Sequence, residues 1–170
     1  NSTTSGSQLA PSLAALDNGM FVAVWLSEKD IKGQIFKADG TKNWSEFSLG
    51  LNINNSWADQ TVYPKVISIG NGESFVVWSE KNNVYGQKIG SGGAPLGTKS
   101  EIKTSGGSHY FNDHPFPDVA WDLVRPDNSS GVKGSIVIVY RDKSENIYGQ
   151  KYDINHGYNN IKELGDPFLI

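Results

Sequence analysis

The chain has 170 residues and a formal net charge of -3, from 15 Lys plus Arg against 18 Asp plus Glu. That is the length of one ordinary domain, without the basic excess of a nucleic-acid binder. With 37% hydrophobic and 19% charged residues the composition is that of a folded domain, and no apolar run reaches the ~20 residues of a membrane-spanning helix.

The first predicted unit occupies residues 5–53. Pro11 introduces a strand at 12–16, since a residue without an N–H suits a strand entrance. Asp17-Asn18-Gly19 reads as a hairpin turn, because Asn and Gly tolerate positive φ. The apolar run 20–25, ending in Trp25, is a second strand of the doubly buried kind. Ile31-Lys32-Gly33-Gln34-Ile35 forms a third strand, and residues 46–49 a fourth.

The second unit, 54–105, repeats the order. Pro64 precedes a strand at 65–69, Gly70-Asn71-Gly72 turns, and the run 74–78 ends in Trp78. Val84-Tyr85-Gly86-Gln87-Lys88 and residues 101–103 complete it. The third unit, 106–170, has Pro117, a strand at 118–123, an inserted turn at 125–131 and the run 136–140 ending in Tyr140. Ile147-Tyr148-Gly149-Gln150-Lys151 and residues 167–170 follow. Pro11, Pro64 and Pro117 stand 53 residues apart, as do Trp25 and Trp78, and Gly33 and Gly86. Three elements kept in step over two periods establish an internal repeat. No stretch carries a capped helical period, so almost no helix is expected. Cysteine is absent, which excludes a disulfide framework, a thiolate metal site and a cysteine nucleophile.

The Phe-Val-Val-Trp strand at 75–78, followed by a Tyr-Gly-Gln strand in units two and three, resembles the tandem repeats of large secreted and surface proteins of bacteria and ciliates. Unit one departs at Lys32, where the others have Tyr, and unit three has Tyr140 in place of Trp. The resemblance implies β-propeller-like blades and an extracellular setting, with no particular activity. The expected fold is all-β: three four-stranded antiparallel propeller-like blades, forming an incomplete propeller or an open stack.

Closed propellers need about four to eight blades, so three leave two sheet faces without a neighbour. Two chains closing a six-bladed ring, further blades of a longer chain, or an open head-to-tail stack would each cover them. The chain begins and ends near the same point of the repeat, which favours a module able to add to itself. Its start at Asn1 fits a processed or excised chain. Four tripeptides match the N-glycosylation pattern, at Asn1, Asn43, Asn54 and Asn128, and all four fall in predicted loops.

Trp25, Trp78 and Tyr140 suit the wedge between blades better than a sugar platform. The recurring pairs Gly33-Gln34, Gly86-Gln87 and Gly149-Gln150 are structural, since a catalytic site normally occurs once. In each, Gly admits a close neighbour and Gln supplies an amide hydrogen bond that fixes register. Trp57 and Tyr110, which differ between repeats, are the candidates for carbohydrate stacking. His109, Asp113 and His114 match no strong metal template, and His156 stands alone. The turn at Asp39 loosely resembles that of sialidase blades, but Arg125 and Arg141 are the only arginines, too few for a three-Arg carboxylate site. Glu28, Glu80 and Asp142 occupy equivalent strand ends, as turn residues would. No nucleophile elbow, phosphate loop or His-Glu-x-x-His is present.

These features lead to an expectation of a non-enzymatic, secreted structural module, without metal or cofactor. It would assemble with itself or with further blades, and engage neither nucleic acid nor the membrane interior. The alternative is a propeller lectin binding glycans between its blades.

Overall fold

The computed structural model describes residues 5–51, 63–80, 83–102, 117–122, 134–142, 144–154 and 161–170. They form three separate four-stranded antiparallel sheets, with no helix among the described residues. The first sheet runs β1 (Gln8–Ala15), β2 (Phe21–Ser27), β3 (Asp30–Phe36), β4 (Lys42–Ser48). The second runs β5 (Lys65–Gly70), β6 (Glu73–Glu80), β7 (Asn83–Ile89), β8 (Pro95–Ile102). The third runs β9 (Asp118–Asp122), β10 (Ser135–Arg141), β11 (Ile147–Asp153), β12 (Lys162–Leu169). Strand order in each sheet follows chain order, so each unit is a plain meander.

One hairpin loop recurs. Residue i donates to the carbonyl of i+4 and accepts from the N–H of i+3, beginning at Leu16, Lys37, Gly90 and Asp142. The i+3 residue has positive φ, and is Gly19, Gly40, Gly93 or Glu145. Glycine at three of the four follows from the absence of a Cβ.

Two departures from the sequence expectation concern strand ends. The fourth strands begin earlier than predicted, at Lys42, Pro95 and Lys162, because each is interrupted by a bulge that a short apolar pattern does not reveal. Pro11 lies inside β1, not at its entrance. Register shifts there between Leu9 and Ser12, and Ala10 has φ of 51°. An edge strand with a bulge accommodates a residue that cannot donate.

The core lies between the sheets. Val22, Val24, Ile31 and Ile35 of the first sheet pack with Val66, Val76, Trp78 and Ile89 of the second. Phe75, Val77 and Val84 of the second pack with Val119, Ile136, Ile138 and Tyr140 of the third. Thus β6 sends Val76 and Trp78 one way and Phe75 and Val77 the other, as its period of two requires. It is the only second strand with no half-buried residue between its ends; β2 and β10 have half-buried residues in their interiors. Between sheets the first strands come close, β1 beside β5 and β5 beside β9. Asp17 joins the first two sheets, its carboxylate accepting the N–H of Asn71 at 2.7 Å and of Gly72 at 2.6 Å. Ser12 Oγ accepts the N–H of Val66 at 3.2 Å.

Candidate functional site

The repeat makes the faces of the three sheets comparable position by position. One face, here called leading, carries Leu13, Phe21, Ala23, Trp25 and Phe36 in the first sheet. The same positions are Val66, Ser74, Val76, Trp78 and Ile89 in the second, and Val119, Ile136, Ile138, Tyr140 and Tyr152 in the third. In the second and third sheets this face is buried against the preceding sheet. In the first sheet no described sheet precedes it. Leu13 is accordingly 65% exposed, while Val66 is 5% and Val119 9% exposed; on the same face of the first sheet Phe21, Ala23 and Phe36 are half-buried and Trp25 is buried.

The opposite, trailing face shows the reverse. In the first sheet the Phe47 ring lies over Gly33, so close that a Cβ on that glycine would meet it inside 3.0 Å. Phe168 lies over Gly149 in the same way in the third sheet, and Phe75 over Gly86 in the second. Phe47 is 7% exposed, covered by the second sheet, whereas Phe168 is 49% exposed.

The leading face of the first sheet is not flat. A cavity of about 280 Å³ is lined by Gln8, Leu9, Pro11, Ala23, Trp25 and Phe36. Ala23 is smaller than Val76 and Ile138, which fill the matching place in the other sheets. Beside it the rings of Phe21 and Phe36 stack at 5.1 Å.

The recurrent aromatics have distinct surroundings. Trp78 stacks on Tyr85 at 6.1 Å and Tyr140 on Tyr148 at 6.3 Å. In the first sheet Lys32 replaces the tyrosine and pairs with Asp30 at 3.7 Å. The indole N–H groups of Trp25 and Trp78 are both buried without a hydrogen-bond partner.

The glutamines sit in the bulges of the fourth strands. Gln34 Nε2 donates to the carbonyls of Ile35 and Asn43 at 2.9 Å and of Trp44 at 3.1 Å. Gln87 donates to Leu96 at 2.6 Å, and Gln150 to Gly165 at 3.1 Å and Lys151 at 2.9 Å. Each amide bridges strand three to the interrupted ladder of strand four.

Asn43 is not in a loop as expected but within β4, opposite Ile35. Its side-chain amide donates to Met20 Sδ at 3.1 Å, so a glycan there would displace a packed contact. Asp39 accepts the N–H of Thr41 at 2.9 Å and its hydroxyl at 2.6 Å, and the hydroxyl bond first of all holds its carboxyl below the usual carboxylate range. Asp142 likewise accepts the N–H groups of Ser144 and Asn146 in its own turn. Glu80 is paired with Lys99. Trp57, Tyr110, Asn1, Asn54 and Asn128 lie outside the described residues, as do Arg125 and all three histidines. Among the described residues no three His, Asp or Glu come together as a metal site would require.

The sequence reading passed over Leu9, Leu13, Phe36 and Phe168. The alternation along each strand, laid over the repeat, marks them, since Leu13 shares its position with two apolar residues that are buried. No known family, curated protein or solved structure matches the chain.

Proposed function

We propose that the protein is an extracellular structural module, not an enzyme, whose sheets are propeller-like blades and which assembles by adding sheet to sheet. The observation that carries this reading is the single repeat position occupied by Leu13, Val66 and Val119, apolar in every sheet, buried in two and exposed in the first. Burying a side chain of that size is worth about 1.5–3 kcal/mol. A leading face of several such groups therefore gains by acquiring a neighbour. The approach of β1 to β5 and of β5 to β9 supports a radial, blade-like arrangement about the first strands. The extracellular setting rests on the repeat resemblance and the glycosylation tripeptides at Asn1, Asn54 and Asn128.

Sedimentation velocity and native mass spectrometry over a wide concentration range test the reading. Assembly beyond the 18.6 kDa chain is expected, driven by burial of apolar surface and therefore weakened on cooling. A monomer at every concentration would refute it.

A further inference from the structure

Among the described residues no sheet lies against the leading face of the first sheet or the trailing face of the third, where Leu13 and Phe168 are exposed. Within the chain these two kinds of face already meet twice, first sheet to second and second to third. The inner contacts therefore supply a template for the outer ones, at the level of single residues.

Phe47 is the informative group. It projects from the trailing face of the first sheet into the cluster that holds Trp78, Val76 and Ile89. It also reaches the β7–β8 turn of the second sheet. A Cβ built on Gly93 would lie 3.9 Å from Phe47 Cδ1 and 3.6 Å from Ile35 Cδ1, an ordinary contact distance. Phe168 matches Phe47, because each ring covers the glycine of a Gly-Gln pair. Trp25, Ala23 and Phe36 stand where Trp78, Val76 and Ile89 do, and line a cavity of about 280 Å³. Gly40 stands where Gly93 does, and nothing lies within 4 Å of the Cβ it lacks. The exposed ring and the open cavity are thus the two halves of a contact the chain makes internally.

The register also sets one pair of polar residues across from each other. Lys151 holds the place of Ile35 on the trailing face of the third sheet. In the first sheet the turn next to the cavity carries Asp39 beside Gly40, with Lys37 and Lys42 on either side.

We propose that a second copy of this chain docks the trailing face of its third sheet on the leading face of this chain's first sheet, with its Phe168 filling the cavity at Ala23, Trp25 and Phe36 and its Lys151 reaching the turn at Asp39. The pairing rests on the self-assembly reading above and gives it a direction. The contact is heterologous, so two copies close a ring where the rotation per sheet permits, and otherwise a polar filament grows.

Two single variants, Leu9→Glu on the cavity rim and Phe168→Glu, test the direction. Both side chains are exposed, so both variants should fold, as circular dichroism would verify. Each alone should associate at least about tenfold more weakly than the unaltered chain. Mixed in equal amounts they should form a 1:1 complex that grows no further, because one intact leading face then meets one intact trailing face. In a second measurement, Asp39→Cys with Lys151→Cys in this cysteine-free chain should give intermolecular disulfides on oxidation. An unaltered chain that never associates overturns the self-assembly reading and this pairing together. Association of the unaltered chain that survives either glutamate variant, or a mixture that forms no complex, overturns the pairing alone.

Discussion

Trp44 and Glu145 each adopt a φ of 65°, Trp44 where the other repeats have glycine and Glu145 where the same loop type has glycine in other hairpins. Trp44 opens the bulge over Gln34, and the matching residues over Gln87 and Gln150 are Gly97 and Gly165, both with positive φ. Glu145 closes the recurrent hairpin loop that Gly19, Gly40 and Gly93 close elsewhere. A Cβ in this region crowds the following carbonyl, at a cost of about 1–2 kcal/mol, while glycine gives back about 0.5–1 kcal/mol in chain entropy. Trp44 is largely exposed, so removing its ring sacrifices little burial. Trp44→Gly and Glu145→Gly are therefore expected to stabilise the fold by up to about 1 kcal/mol each, read from urea unfolding midpoints at constant slope.

At the scale of the element, the fourth strands depend on the glutamines more than on their own pattern. Gln34, Gln87 and Gln150 are buried, and each amide occupies carbonyls that the bulge leaves without a ladder partner. Gln87→Ala removes the donor and leaves the Leu96 carbonyl unsatisfied, a loss of about 1–3 kcal/mol. Amide exchange in β8 should accelerate first, and unchanged protection there would show that the bulge holds itself. The first three strands of each unit were legible because turn residues and apolar runs mark them locally. The extent of the fourth was not. Its residues flank a bulge, lie largely exposed, and draw their order from a side chain 9 to 15 positions earlier. Pro11 misled for a similar reason: its position at the edge of a sheet, where a missing N–H costs nothing, is set by pairing and not by the residue.

At the scale of the molecule, among the described residues the second sheet has a neighbouring sheet on both faces and the other two on one. Stability in such a row is a sum of unit terms and contact terms, so the ends open first. Hydrogen exchange should be slowest in β6 and fastest in β12, whose residues are exposed throughout, and a uniform profile would contradict the row. Repetition itself was plain in the sequence, because three copies kept step. Which face meets which was not, since alternation divides a strand into two sides without saying what lies beyond either. Leu13 and Val66 look alike as residues and differ only in what covers them.

The equivalence of the three leading faces also bears on how such a chain can change over generations. A misaligned crossover that duplicates the second unit would set its trailing face against its own leading face, and both already bury apolar residues against a neighbouring sheet. Length then becomes a trait open to stepwise inheritance. The terminal units alone carry a face with no described neighbour, so residues that cap the row would have to arise there.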